Sequence, residues 1–357
     1  MMRSVSCFFI ALGLLVPSGC SSNPASKQKY QIAVVPKGMT HEFWKSIERG
    51  ARRAAQDLTA QGLATQILWD GPRKESDIQD QIRIVQQMTG SRGIQGLVLA
   101  PQDSKAMVPV VKETADRGIP VVIIDSGLDD TSAIVKYVAT DNYQGGRMAG
   151  RRLLEVLEKE GKNAPKLALL RYQVGSESTE QREKGFLDEI QDQVSRKKKE
   201  GKPFPEIISE NVYSGATVDT AQAAAGPLLI KIRDQVDGIF AVNESAATGM
   251  LNAMRSQGLN KKIQLVAFDS SEPLLQAVEE GDVSGLIVQD PYRMGYMGVW
   301  VLVQQLEGKK LPGEGKNLST GEYLLTRENL KEQATRERFD PQLQEKRTIQ
   351  MPAAKGS

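Results

Sequence analysis

The sequence predicts an α/β protein built from two doubly wound parallel-sheet lobes. Three observations carry that reading. Short β-branched and aliphatic runs recur from "IAVV" at 32–35 to "GLIV" at 285–288, without the polar alternation of half-exposed strands. Between most of them lie stretches of ten to twenty residues with apolar side chains at helical spacing. The runs number about ten, too many for one such sheet, whereas 357 residues accommodate two sheets of about five strands.

The N-terminus is of another kind. Arg3 precedes an apolar run from Val5 to Val16, too short to span a bilayer, so residues 1–19 are expected to be a signal peptide. The following "PSGCSSN" resembles a bacterial lipobox, with Pro17 where Leu or Val is usual. Cys20 is the expected lipidation site, and the polar residues 20–29 the tether behind that anchor. Cys7 lies in the removable segment, so only Cys20 survives processing and no disulfide framework forms within the mature chain.

The alternation begins at Tyr30. After "IAVV", Phe43, Ile47, Ala51, Ala54 and Leu58 make one helical face. "TQILW" at 65–69 is the next strand, then the helical "IQDQIRIVQQMTG", the strand at 97–100 and the helical "KAMVPVVKETADRG". Both helical stretches are expected to close with Gly after the last turn. Further strands are predicted at 120–124, 134–138, 167–170, 207–208, 238–242, 264–268 and 285–288, most with intervening helical patterns. "EYLLT", after residue 320, reads as a last strand. Residues 331–357 are strongly charged and read as a helix or arm on the surface. No repeat with a period of 20–50 residues is visible.

Composition excludes several classes. With 40% hydrophobic and 25% charged residues and a net charge of +2, nothing global points to nucleic acid or a membrane surface. "RKKKEGK" at 196–202 reads as a short solvated loop. One histidine and no free cysteine make a zinc site disfavoured. No GxGxxG or GxxxxGK[ST] spacing and no GxSxG elbow appears, so neither a cofactor nor a serine nucleophile is expected.

In open α/β sheets, ligands bind beyond the carboxyl ends of the strands. His41, Phe43 and Trp44 follow the first run, and Asp125 and Ser126 follow "PVVII". Arg182 lies across a loop from "LALL", Asn243 follows "GIFAV", Asp269 follows "QLVAF" and Gln289 follows "GLIV". Carboxylates, amides and a guanidinium suit a neutral polyol, whose hydroxyls both donate and accept. Flat rings suit the C–H faces of a sugar.

The motifs "HEFWKSIERGA", "GLVLAPQDS", "GIPVVIIDS", "VATDNYQGGRMAG", "REKGF", "GIFAVNESAATGML", "LVAFDSS" and "GLIVQDPYRMG" together resemble the ribose/galactose-binding type of periplasmic binding protein, type I fold. The resemblance runs from about Tyr30 to Thr326. It implies stacking by Phe43 and Trp44, a polar contact from His41, where Asn is common, and ligand contacts from Asp125, Arg182, Asn243, Asp269 and Gln289. Four departures from ribose binders stand out. His41 replaces the usual Asn, Ser126 replaces an Arg, Glu180 replaces a second Arg, and the ring expected just before the helix at 217 is missing, with Ala216 and Tyr213 nearest. They disfavour ribose itself.

The resemblance also implies a three-segment hinge near Thr140–Asp141, Gln289–Asp290 and Asn317–Thr320. The N-terminal lobe is then 30–140 plus 290–318, and the C-terminal lobe 141–289 plus 319–330. The expected protein is a monomer outside the cytoplasm, tied to the membrane only through its lipid. It closes on a sugar or polyol and delivers it to an ABC transporter permease. A sensing receptor for a chemoreceptor or sensor kinase shares every one of these features. A glycosidase would need a second acid near one of the aspartates, which neither "VVIIDSG" nor "LVAFDSS" supplies. A sugar-responsive repressor would need an N-terminal helix-turn-helix, where this chain has the signal peptide and tether.

Overall fold

A computed structural model describes residues 30–91 and 93–352. The expected signal peptide, Cys20 and tether lie outside the described residues. The first sheet holds β1 (Tyr30–Val35), β2 (Thr65–Trp69), β3 (Gly96–Leu99), β4 (Val121–Ile124), β5 (Lys136–Ala139) and β11 (Asn317–Ser319). All are parallel, in the order β11-β5-β4-β3-β1-β2. The second holds β6 (Lys166–Arg171), β7 (Glu206–Tyr213), β8 (Gly238–Ala241), β9 (Gln264–Phe268), β10 (Gly285–Val288) and β12 (Tyr323–Leu325), in the order β12-β10-β9-β8-β6-β7. Only β12 runs antiparallel there. The predicted class holds, with six strands per sheet instead of about five. The extra strand in the first sheet is β11, whose three residues "NLS" are too few and too polar to stand out as an apolar run.

The helices are α1 (Glu42–Ala60), α2 (Ile78–Ser91), α3 (Val108–Asp116), α4 (Asn142–Lys159), α5 (Glu177–Lys199), α6 (Val218–Ile232), α7 (Glu244–Ser256), α8 (Glu272–Glu280), α9 (Pro291–Leu306), α10 (Gln333–Arg336) and α11 (Pro341–Lys346). Strand side chains alternate between faces, so Val34, Val98 and Val122 pack with Ile47 of α1 and Met297 of α9. Their neighbours Val35, Leu97 and Ile123 pack with Met88 of α2 and Val111 of α3. The second sheet is sandwiched likewise, Leu170 and Ala241 against α6 to α8 and Leu169 and Phe240 against α4 and α5. Burial on both faces is why these strands lack polar alternation. Gly118, with φ 78°, follows α3 as the sequence predicts. Gly90, expected to close the preceding helix, lies inside α2 instead, and the left-handed residue there is Gly93.

Two glycines fix the helices that carry candidate site residues. A Cβ on Gly295 would lie 2.0 Å from the Ile47 carbonyl oxygen, which locks α9 onto α1. A Cβ on Gly146 would lie 2.0 Å from the Arg182 carbonyl oxygen, which locks α4 onto α5.

The chain passes between the sheets three times, from β5 to α4, from β10 to α9 and from β11 to β12. The charged C-terminal residues, expected as a surface arm, pack along both halves. Leu330 and Phe339 lean on the core of the second sheet, Ile349 and Met351 on that of the first. Between them Arg338 and Arg347 reach the fully buried Asp290 carboxylate at 3.3 and 2.7 Å. Gln344 is buried too, its Oε1 accepting from Ser46 Oγ at 3.1 Å. The charge that makes this segment look solvated in sequence neutralises a buried carboxylate between the sheets.

Candidate functional site

Residues that follow strands of both sheets converge on one cavity of about 30 Å³. It is lined by His41, Phe43, Trp44 and Asp125 from the first half, and by Arg182, Asn243, Asp269 and Gln289 from the second. Asp125 ends β4 and Asp269 ends β9, and both take left-handed backbone, φ 63° and 71°. A non-glycine residue rarely adopts that conformation, and such strain clusters at functional sites. Both side chains are more than nine-tenths buried.

Arg182 is held from three sides. Its Nε donates to Asn142 Oδ1 at 2.9 Å, its Nη1 donates to the Val242 carbonyl at 3.0 Å, and its guanidinium lies 3.8 Å from the Phe268 ring centroid. Its Nη1 is 3.8 Å from Asp269 Oδ2. Gln289 Nε2 donates to Asp269 Oδ1, and the Glu244 backbone N–H donates to Asp269 Oδ2 at 3.0 Å. Asn243 caps α7, its Oδ1 accepting from Ala246 N. Phe43 and Trp44 meet edge to face with centroids 4.9 Å apart. Trp44 belongs at once to the first core and to the cavity wall.

Ser126 departs from expectation and does not line the cavity. The left-handed turn at Asp125 folds the chain back, with Ser126 N donating to the Ile124 carbonyl at 2.7 Å. Ser126 Oγ then accepts from Ser178 N of the other half at 3.0 Å. Ser104 N to the Gly175 carbonyl and Gly127 N to Glu177 Oε2 add two more direct bonds, so the halves stand closed on each other.

Seven lining residues escaped the sequence reading: Lys37, Glu75, Tyr172, Ser176, Ser178, Thr179 and Glu244. Lys37 Nζ lies 3.3 Å from Asp125 Oδ2 and donates to Ser176 and Ser178 Oγ at 3.2 Å each, which ties the halves together. Glu75 is a buried hub. Its carboxylate takes His41 Nδ1 at 2.8 Å, Trp44 Nε1 at 2.7 Å and the Tyr172 hydroxyl at 2.8 Å. Burial alone would raise the Glu75 carboxyl, but His41, the indole and Lys37 together hold it at about 2. Burial by itself would lower the His41 imidazole, and Glu75 overcomes this and pushes it up to about 9. Burial raises Asp125, with Lys37 opposing, and lifts Glu244 to about 7, with His41 opposing. The strand-end rule contained Tyr172, one residue past β6, and Glu244, beside Asn243. Lys37 stands two residues past β1, whereas Glu75 lies six residues past β2, where the rule gives no pointer.

Tyr172 also bears on the ring missing before residue 217. Ala216 is small and Tyr213 is 44% exposed, stacked on Arg171 instead of facing the cavity. The ring that the second half gives the cavity is Tyr172.

Two sandwiched sheets joined by three crossings, with charged and aromatic side chains from both converging between them, define a receptor that encloses its ligand by closing. The chain belongs to the periplasmic binding protein domain family, whose sequence profile matches residues 32–310. It is 30% identical to the D-ribose/D-allose-binding protein of Pseudomonas aeruginosa, over 84% of this chain and 91% of that one. It is 24% identical to the ribose import binding protein RbsB of Bacillus subtilis, over 87% and 95%. Among solved structures it matches a carbohydrate transporter solute binding protein of Agrobacterium radiobacter in complex with D-arabinose, with TM-score 0.78 and 28% identity, covering 88% of this chain and 100% of that one. It also matches an ABC transporter solute binding protein of Agrobacterium vitis with bound D-fucose, with TM-score 0.75 and 30% identity, covering 86% and 98%.

Proposed function

We propose that this protein captures a sugar or sugar-like polyol between its halves and hands it to an ABC transporter permease outside the cytoplasm. The observation that carries the reading is the pair of buried, strained carboxylates, Asp125 and Asp269, which reach one cavity from opposite sheets. Each accepts hydroxyl hydrogen bonds, while Arg182, Asn243 and Gln289 donate and His41, Phe43 and Trp44 close the first side. Hydrogen bonds to charged groups contribute about 1.5–3 kcal/mol each, enough in number to offset the desolvation of a buried polyol. Lys37 supplies the cation on Asp125 that Ser126 cannot. The relatives support the sugar class, being named for ribose and allose or bound to arabinose and fucose.

Each aspartate is already partnered, Asp125 by Lys37 and Asp269 by Gln289 and Arg182, which favours grip over acid-base chemistry. The lobes are assigned as 30–140 plus 290–318 and 141–289 plus 319–330, hinged at the crossings, with Cys20 as the membrane anchor of a single chain. A thermal-shift screen against monosaccharides and polyols tests the reading. A ligand at 100 times its Kd stabilises by about 2.7 kcal/mol, so one compound should stand out. Asp269→Ala should abolish that shift while the unliganded protein stays folded. A full response in Asp269→Ala would end the site assignment.

A further inference from the structure

Beside the inner cavity lies a far larger chamber, of about 710 Å³, whose walls include Phe43, Asp269 and Gln289 of the inner site. That is the size of a small-molecule site, whereas the inner cavity, about 30 Å³ with the halves drawn together, has to widen by hinge opening to admit a sugar ring. One side of the chamber is α1, with Glu42 and Arg49, and another is the start of α8, with Glu272 and Gln276. The remaining wall is the C-terminal segment, with Arg336 and Phe339. That segment lies beyond residue 310, where the family match ends, and its bonds to Asp290, Ser46 and Arg49 fix it in place. Two buried polar atoms of the lining residues, Gln289 Oε1 and Arg49 Nε, make no hydrogen bond among the described residues. The walls carry both acids and guanidiniums, among them Glu42, Glu272, Arg49 and Arg336, and rings from two elements, Phe43 of α1 and Phe339 of the C-terminal segment. Such a lining suits a neutral, hydroxyl-rich unit with an apolar face, not an ion.

We propose that the chamber is a second subsite and that the ligand has two units, a disaccharide or other glycoside. Its terminal sugar sits in the inner cleft, which rests on the function proposed above, and the attached unit lies in the chamber against the C-terminal segment. This chain's tail thus sets how much of the ligand beyond the first ring is recognised.

Isothermal titration of the full chain tests this with D-ribose, D-allose, D-arabinose and D-galactose, each beside disaccharides and glycosides carrying the same sugar at the non-reducing end. At least one two-unit ligand should bind tenfold or more tighter than its free sugar. Gln276→Trp, which fills the chamber from an exposed position on α8, should cut that advantage below twofold and leave the free-sugar Kd within twofold. Glu272→Ala serves as a second exposed variant and should reduce the advantage without changing free-sugar binding. Free sugars binding as tightly as every two-unit ligand would overturn the subsite and leave the proposed function standing. An advantage untouched by Gln276→Trp would overturn it as well. Sugar binding that survives Asp269→Ala would count against the inner site instead.

Discussion

His41 is the chain's only histidine, so its imidazole can be followed without assignment. The structure ties it to Glu75 at 2.8 Å, with 20% of the His41 side chain and 8% of the Glu75 side chain exposed. The pair raises His41 from 6.5 to about 9, which corresponds to about 3 kcal/mol at about 1.4 kcal/mol per unit. Because the folded value lies above the unfolded one, this stabilisation is fully present below pH 6.5 and is lost as pH rises through about 9. Glu75 shows the same interaction from the other side. Its folded value of about 2 lies below 4.5, so the stabilisation is present above pH 4.5 and lost as pH falls toward 2. The pair therefore acts in full only between about pH 4.5 and 6.5.

Glu75→Gln removes the charge, keeps an amide oxygen to accept from Trp44 Nε1, and turns an NH2 toward the Tyr172 hydroxyl oxygen, which can accept from it. Urea unfolding should show the variant about 3 kcal/mol less stable at pH 6, with the gap closing by about that amount at pH 9.5. Taking the difference between the two proteins limits the contribution of Glu244, whose burial costs stability as it ionises up to about pH 7. Proton NMR should place the wild-type His41 midpoint near 9 and move it to 6.5 or below in the variant. A wild-type midpoint near 6.5, or a stability gap independent of pH, would refute the reasoning.

Other outcomes follow from the same geometry. Gly146→Ala would put a methyl 2.0 Å from the Arg182 carbonyl, where contact normally starts near 3.4 Å, so α4 and α5 must part by about 1.4 Å. Urea unfolding should show a loss of about 1–3 kcal/mol, with weaker ligand binding as Arg182 moves. Arg347→Ala strips one of two guanidiniums from the fully buried Asp290 and should cost about 1.5–3 kcal/mol by the same measurement. Trp44→Ala removes a ring from the cavity wall and one donor from Glu75, and should shrink the ligand-induced thermal shift, read as the melting point of the ligand-saturated variant minus that of the free variant.

The sheets were legible because strands buried on both faces announce themselves as unbroken apolar runs. β11 was not, since "NLS" takes its place through parallel pairing with β5 and not through hydrophobicity. Strand ends led to Asp125, Asp269, Asn243 and Gln289, because topology fixes where those ends meet. The rule overreached at Ser126, where the turn that exposes Asp125 swings the next side chain toward Ser178. It stopped short at Lys37 and Glu75, which act through partners distant in sequence, Ser176, Ser178 and Tyr172. The C-terminal segment shows the same limit. Arg338 and Arg347 look solvent-bound until Asp290, some fifty residues earlier, is placed beneath them.

The central claim is that both halves grip a single sugar, and a crystal structure of the protein with the sugar that gives the largest thermal shift tests it most directly. The account predicts a sugar ring against Phe43 and Trp44, within hydrogen-bond distance of Asp125 from one half and of Arg182, Asn243 and Asp269 from the other. A sugar bound elsewhere, or held by residues of one half alone, would contradict it.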